Sequence, residues 1–451
     1  MRALLVSTYD LGRQPRGLAA PASALRAGGV EVRCADTSRE PFEDAWLDGV
    51  DLVGFYLPMH TATRLAAPLI ARVRRARPQA TLAAYGLYAP LNRAWLRQQG
   101  VGHVLGPEAG ADLAALAAGE PVSDYAPDRA VPRRRAVTPD RTGLLPLARY
   151  AGLQMPDGTR RVVGNTDATH GCKHLCRHCP VVPVYRGRFE AIPLDVVLDD
   201  VRAQVEAGAQ HITFGDPDFF NGPTHARRLA ERLTAAHPGL SYDVTIKIEH
   251  ILAHAELLPV LAATGCLFIT SAVESVDDAV LERLRKGHTR ADFERAVGLC
   301  RTAGLALSPT FVPFTPWTTQ EGYADLVATI RRLDLVEAVA PIQLAIRLLV
   351  TAESALLELP EIRDSLAAFD PTSLTWPWQH HDARVDELQR RVMALVSAKA
   401  GEPRGSVFEA IEALAGAGPV PATPAARMVP PYLTEGWYCC AEPGPEQLET
   451  L

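Results

Sequence analysis

The sequence predicts an α/β protein with three parts: an N-terminal doubly wound parallel sheet, a partial (β/α)6 barrel and a helical C-terminal region. Three observations support this. Residues 1–120 and 161–350 both alternate short apolar runs with Ala-, Leu- and Arg-rich helical stretches, the pattern of parallel strands covered on both faces. Residues 121–160 break that pattern with recurring Pro and Arg, as a linker does. The last hundred residues read mainly as helix. At 451 residues the chain is too long for one core, so two or three domains are expected.

In the first part, Ala3–Ser7, Val30–Ala35, Asp51–Leu57, Ala80–Tyr85 and His103–Leu105 read as strands. The helix over 16–29 stops at Gly28-Gly29. Ligands of such sheets sit beyond the strand C-terminal ends. In the second part Pro193 opens a helix whose apolar stripe is Leu194, Val197, Val201 and Val205, and Gly208 ends it. Strands follow at His211–Phe214, Tyr242–Ile248, Leu267–Ala272, Ala306–Phe311 and Ile342–Leu349, with helices at 223–236, 277–286, 290–303 and 320–333. With a strand just before Cys172 they make about six βα units. Helices near 383–399 and 406–416 and a Pro-rich stretch at 419–431 lead to the tail.

Hydrophobic residues make up 47% and charged residues 22%, which places the chain among globular proteins. A net charge of −6, from 46 basic and 52 acidic residues, argues against nucleic-acid binding. All but Lys173, Lys247, Lys286 and Lys399 of the basic residues are arginines, a composition effect of the kind a GC-rich genome produces. No apolar stretch is long enough for a membrane span, and the N-terminus does not read as a signal peptide. Three of the eight cysteines cluster at 172–179 and two are adjacent at 439–440, while Cys34, Cys266 and Cys300 stand alone. That spacing suits metal or redox chemistry in the cytoplasm better than a disulfide framework.

Cys172, Cys176 and Cys179 form a Cys-x3-Cys-x2-Cys loop between a strand and a helix. Thiolates are the usual ligands of iron–sulfur clusters, and three of them leave one iron of a four-iron cluster open. The other reading is a zinc site with His170, His174 or His178 as fourth ligand. The βα setting favours the cluster, because structural zinc usually staples small domains that lack a core.

This loop after the first strand of a partial barrel resembles the signature of the radical S-adenosylmethionine (SAM) superfamily, over roughly 161–350. The resemblance implies a [4Fe-4S] cluster whose open iron is chelated by the amino and carboxylate groups of SAM. It also implies an electron donor such as flavodoxin or ferredoxin, and a small-molecule substrate. His178 stands where the family often has an aromatic residue, and can stack on a flat base. Gly215-Asp216-Pro217-Asp218 lies where the family binds the methionyl ammonium, with Asp216 or Asp218 as acceptor; the alternative is a turn with helix-capping aspartates. Thr270-Ser271-Ala272-Val273-Glu274-Ser275, followed by Leu281, Lys286-Gly287 and His288, resembles the fourth-strand motif. It implies Glu274 and Ser275 as binders of the ribose or methionyl end. Pro309-Thr310-Phe311 matches the adenine-packing region, which brings in Thr310. Arg347 ends the last strand and pairs with a carboxylate or is a surface arginine.

The N-terminal sheet resembles the cobalamin-binding domain of cobalamin-dependent radical enzymes. Its Asp-x-His-x-x-Gly motif is missing: the first loop reads Thr8-Tyr9-Asp10-Leu11-Gly12-Arg13-Gln14, and only His60 and His103 lie near other strand ends. The domain therefore reads either as a cobalamin binder or as a shape for the pocket. The tail Cys439-Cys440-Ala441-Glu442-Pro443 resembles a subfamily named for its CCAEP end, some members of which carry selenocysteine there. That implies chemistry at Cys439 and Cys440. Adjacent thiols make a strained disulfide but can jointly hold a thiophilic atom such as trivalent arsenic. The alternative is an incidental pair on a loose terminus, against which Trp437 and Tyr438 suggest a docking tail. Trp376-Pro377-Trp378-Gln379-His380-His381-Asp382 reads as a site wall, a proton relay or an aromatic anchor.

The expected function is transfer of the 3-amino-3-carboxypropyl group of SAM to trivalent arsenic, in biosynthesis of an arsenic-containing amino acid antibiotic. The alternatives are cobalamin-dependent methylation of carbon or phosphorus in natural-product biosynthesis, and, from another class, a metalloid or redox sensor.

Overall fold

The structure, a computed structural model, describes residues 1–127, 137–416 and 429–435. The N-terminal strands β1 (Arg2–Ser7), β2 (Glu31–Asp36), β3 (Leu52–Tyr56), β4 (Thr81–Tyr85) and β5 (His103–Val104) form one sheet in the order β2-β1-β3-β4-β5. Every pairing in it is parallel. The strand order reverses between β1 and β3, so the loops after these two strands form the ligand edge of such a sheet. Both sheet faces are buried. Leu4, Val6, Val53, Phe55 and Ala84 pack on one side. Ala3, Leu5, Leu52, Ala83 and Tyr85 pack on the other, against Leu18, Ala22 and Leu25 of the helix Arg16–Ala27.

After β6 (Gly152–Gln154) come β7 (Arg160–Thr166), the short hairpin of β8 (Thr169–Gly171) and β9 (Phe189–Ala191), then β10 (His211–Phe214), β11 (Ser241–Thr245), β12 (Cys266–Glu274) and β13 (Ala306–Phe311). With β14 (Tyr432–Leu433) they give the order β13-β12-β11-β10-β7-β6-β14. Strands β7, β10, β11, β12 and β13 are parallel neighbours, the wall of a partial barrel. Outward-facing Ile212, Phe214, Tyr242, Val244, Ile269 and Leu307 join the main core beneath the helices. Inward-facing Val163, Phe268 and Ala306 form a separate small cluster with Leu153. Beside it His211 bridges Ser241 (2.8 Å) and Asp243 (2.9 Å). The barrel floor is thus closed by packed and hydrogen-bonded side chains.

Three expectations need correction. Ile342–Leu349 is not a strand: Pro341–Leu344 is a 3-10 turn, and beyond it the segment has only isolated bridging at Arg347, parallel to Phe314, and at Leu348. Pro341 lacks the N–H a strand ladder needs. The linker ends early, because the chain rejoins the sheet at Gly152. Residues 351–382 carry only the turn Ala355–Glu358, the helix Pro360–Ser365 and isolated bridges. The helices Ala383–Ala398 and Arg404–Ala415 are formed as expected. Among the described residues no helix is long and apolar enough to cross a membrane.

Candidate active site at the barrel mouth

The three cysteines sit on the loop between β8 and the helix Val181–Tyr185, at the C-terminal edge of the barrel. Cys172 and Cys176 are buried, Cys179 is half-buried, and none is in a disulfide. Burial, with Asp218 and Cys176 nearby, pushes the Cys172 thiol up to about 11. A thiol so placed ionises when a metal takes its proton's position. Each of the three histidines that zinc would need has at least one ring nitrogen facing a residue outside the loop. His170 faces Glu108 (3.6 Å), His178 meets Glu274 (3.0 Å), and His174 lies against His250 (3.2 Å) and Glu249 (3.4 Å). Three thiols on one loop, with its histidines turned toward partners outside it, fit a cluster with one open iron better than a four-coordinate zinc.

Glu274 ends β12 after a register shift opposite Thr310 and Phe311, and takes a left-handed φ of 71°. A non-glycine residue rarely holds that conformation without function or strong fixing contacts. Two contacts fix it here: Lys286 Nζ donates to Glu274 Oε1 at 3.2 Å, and His178 Nε2 lies 3.0 Å from the same oxygen. Burial would raise this carboxyl, but Lys286 and His178 outweigh it and hold it at about 2. Lys286 is itself held high despite burial, by Glu274 and by Cys176 and Cys179. A buried cation therefore sits against the carboxylate and within electrostatic reach of two cluster-loop sulfurs. The other ring nitrogen of His178 and the Thr310 hydroxyl are buried without a hydrogen-bond partner. Orphaned polar atoms at a barrel mouth suit a polar ligand that completes them. Ser275 is turned away, accepting from the Asp277 N–H (3.1 Å).

The two aspartates after β10 differ in role. Asp216 accepts from Ala168 N (2.8 Å), Thr169 N (2.6 Å) and Thr169 Oγ1 (2.6 Å). It therefore shapes the approach to Cys172 and is not free for an ammonium group. Burial and neighbouring Asp167 push its carboxyl up to about 7 against those bonds. Asp218 caps Phe219–Asn221 through Phe220 N (3.0 Å), as the capping alternative expects, and its other oxygen faces His174 and His250. Gly215 packs so closely that a Cβ would come within 2.5 Å of Asp167 Oδ1. Asp167 pairs with Arg16 (2.8 Å) and so joins the barrel to the N-terminal sheet.

Arg347 is not free for a substrate carboxylate. It pairs with Asp386 (2.7 Å), donates to the Trp378 carbonyl and lies 3.5 Å over the Trp378 ring. Trp378 is buried against Ile346 and Leu348, so the Trp-Pro-Trp cluster is an anchor. Cys439 and Cys440 lie outside the described residues, with Trp437 and Tyr438. The chain before them is placed: β14 runs antiparallel to β6, hence parallel to β7, and heads for the barrel's C-terminal edge. There Glu435 accepts from the Tyr9 hydroxyl (2.6 Å) and pairs with Arg39 (3.1 Å). At the N-terminal ligand edge the Asp-x-His-x-x-Gly motif is absent. The first loop has no histidine, and His60 Nε2 is engaged by the Ser373 carbonyl (2.7 Å).

Sequence reading missed the groups that complete the site: Lys286 as the partner of Glu274, and His250. One signal pointed there. The chain has only four lysines among 46 basic residues, and Lys173, Lys247 and Lys286 all fall at the barrel mouth.

Residues 167–329 match the profile described as the Radical SAM superfamily. Residues 167–329 thus carry a radical SAM domain. Among curated proteins it is similar to tRNA-2-methylthio-N(6)-dimethylallyladenosine synthase of Fusobacterium nucleatum, 25% identical over 184 residues, covering 37% of this chain and 40% of that one. It is also similar to ribosomal protein uS12 methylthiotransferase RimO of Porphyromonas gingivalis, 26% identical over 177 residues, covering 36% and 39%. The chain thus spans about two-fifths of the length of these relatives. Among solved structures it resembles the radical SAM methyltransferase TsrM from Kitasatospora setae, with TM-score 0.60 and 20% identity over 74% of this chain and 71% of that one. It also resembles the cobalamin-dependent SAM radical enzyme OxsB, with TM-score 0.66 and 11% identity over 92% and 71%. At these identities the likeness is one of fold.

Proposed function

We propose that this enzyme transfers a carbon group from SAM to a small thiophilic acceptor, with Cys172, Cys176 and Cys179 holding the cluster. A bound cluster supplies a single electron that breaks one carbon–sulfur bond of the sulfonium and leaves a carbon radical. The chain's own residues bind and orient. Glu274, held ionised by Lys286 and His178, receives the ribose or the methionyl end. Thr310 and the free nitrogen of His178 face the nucleoside, and close packing at Gly215 fixes the neighbouring wall.

The acceptor we favour is trivalent arsenic, carried by Cys439 and Cys440, and the group transferred is 3-amino-3-carboxypropyl. The product would be an arsenic-containing amino acid of the antibiotic type. The observation that supports this most is the course of β14: Tyr9 and Arg39 fasten Glu435, four residues before Cys439, at the barrel's C-terminal edge. The test uses SAM labelled in its aminobutyrate carbons, with arsenite and reduced, cluster-loaded enzyme. Label in an organoarsenic product supports the reading; arsenite recovered unchanged while SAM is cleaved contradicts it.

Cobalamin-dependent methyl transfer to carbon or phosphorus is the second reading. It draws support from the parallel sheet before the barrel and the fold likeness to TsrM and OxsB. It requires a corrinoid spectrum in the enzyme and S-adenosylhomocysteine among the products.

A further inference from the structure

We propose that His174, Asp218 and His250 form a second metal centre beside the cluster loop, for one divalent ion of the zinc or ferrous type. The three side chains come from three elements: the cysteine loop, the turn after β10 and the helix Ile248–Ala253 after β11. One ligand atom from each lies within 4.8 Å of the others. His174 Nε2 is 3.2 Å from His250 Nε2 and 3.5 Å from Asp218 Oδ2. Tetrahedral ligands about 2.0–2.1 Å from zinc stand roughly 3.3–3.4 Å apart, so this spacing fits a shared ion.

Two further observations point to a ligand. Asp218 Oδ2 and His250 Nδ1 form a contact of 2.6 Å, and both atoms are buried, so a carboxylate is set against an imidazole nitrogen away from solvent. Asp218 is 0% and His250 4% exposed, so water does not satisfy them. A divalent ion shared by the three groups would replace the proton held between them. The second observation is the surroundings of His174. Its Nδ1 faces Glu249 Oε2 at 3.4 Å, and Lys247 holds that carboxylate at 3.3 Å. A carboxylate behind a ligating imidazole is the usual way its tautomer is fixed.

Two imidazoles and one carboxylate favour zinc or ferrous iron over calcium or magnesium, which prefer oxygen. Three protein ligands leave a position for water or a small oxyanion. The ion would tie the cysteine loop to the ends of β10 and β11 without using a cysteine. The site is distinct from the cluster in both ligands and chemistry.

The test is anaerobic titration of the cluster-loaded full chain with Co2+, and zinc K-edge absorption after loading with Zn2+. One equivalent is expected, with d–d bands of nitrogen and oxygen ligands and no thiolate charge-transfer band. Asp218→Ala or His250→Ala should weaken binding by at least ~100-fold, and Glu249→Gln by about 10-fold with cluster absorbance unchanged. Glu249 is half-exposed, so its variant carries the test if the buried ones fail to fold. Thiolate bands, sulfur scatterers at zinc, no binding beyond the cluster, or unchanged affinity in Glu249→Gln together with whichever buried variant folds would overturn the proposal.

Discussion

The Tyr9 hydroxyl donates to Glu435 Oε1 at 2.6 Å, joining the first loop of the N-terminal sheet to the residue that follows β14 and Thr434. Arg39 holds the other oxygen at 3.1 Å. The last described residue before the Cys439–Cys440 tail is thus fixed where the sheet's ligand edge meets the barrel mouth. Glu435→Ala removes both contacts. Charge-assisted hydrogen bonds of this kind are worth about 1.5–3 kcal/mol. Transfer to the acceptor should fall by roughly tenfold, while reductive SAM cleavage without acceptor stays at the wild-type rate. Comparing the two rates by product chromatography checks this.

Lys286→Ala leaves the Glu274 carboxylate buried with only His178 beside it. Breaking one side of a buried ion pair costs about 3–5 kcal/mol. The variant should show that loss in denaturant unfolding, and Lys286→Met with Glu274→Gln should recover part of it. Equal stability of the single and double variants would mean that Lys286 does not neutralise Glu274.

Gly215→Ala forces a methyl group against the Asp167 carboxylate, 2.5 Å away before relaxation. Overpacking of this kind costs about 1–3 kcal/mol. Because Asp167 also holds Arg16, the wall between sheet and barrel must shift. Weaker SAM binding with normal cluster content is expected, read by equilibrium dialysis and iron analysis.

Burial lowers the His60 imidazole to about 4 although the Ser373 carbonyl favours its proton. The ordinary value is about 6.5. The folded state therefore binds fewer protons than the unfolded one between these values. The contribution is fully present above pH 6.5 and is lost as pH falls through 4. Between pH 7.5 and pH 5, wild type should lose about 2 kcal/mol more than His60→Gln, which keeps a donor for Ser373. Unfolding both proteins in urea at each pH measures the difference, and titrations elsewhere in the chain cancel.

Much of the fold was legible because strand and helix periods differ sharply. His211–Phe214 and Ala306–Phe311 are strands at the very residues where apolar runs end in turn signals. Ile342–Leu349 misled for a physical reason: its apolar residues pack into two different cores, Leu344 and Ala345 under the barrel helices and Ile346 and Leu348 around Trp378. A strand would have put alternate residues on the two faces of one sheet. The grouping of Cys172, Cys176 and Cys179 on one loop at the barrel mouth was readable from their spacing and its βα setting. The carboxylates were not, because sequence places Asp216, Asp218 and Glu274 near the mouth without saying which oxygens are already bonded. Only the backbone N–H groups of Ala168 and Thr169 reveal that Asp216 is occupied. Likewise the partners of Arg347, Asp386 and Trp378, lie 39 and 31 residues further along the chain, where sequence alone does not find them.

The proposed transfer is tested most directly by the nucleoside left after anaerobic turnover with reductant, SAM and arsenite. Each carbon–sulfur bond of the sulfonium gives a different one. Removal of the 3-amino-3-carboxypropyl group leaves 5′-methylthioadenosine, formed in step with the organoarsenic product, and that is the result expected. 5′-Deoxyadenosine or S-adenosylhomocysteine as the sole nucleoside, with no 5′-methylthioadenosine, would contradict it.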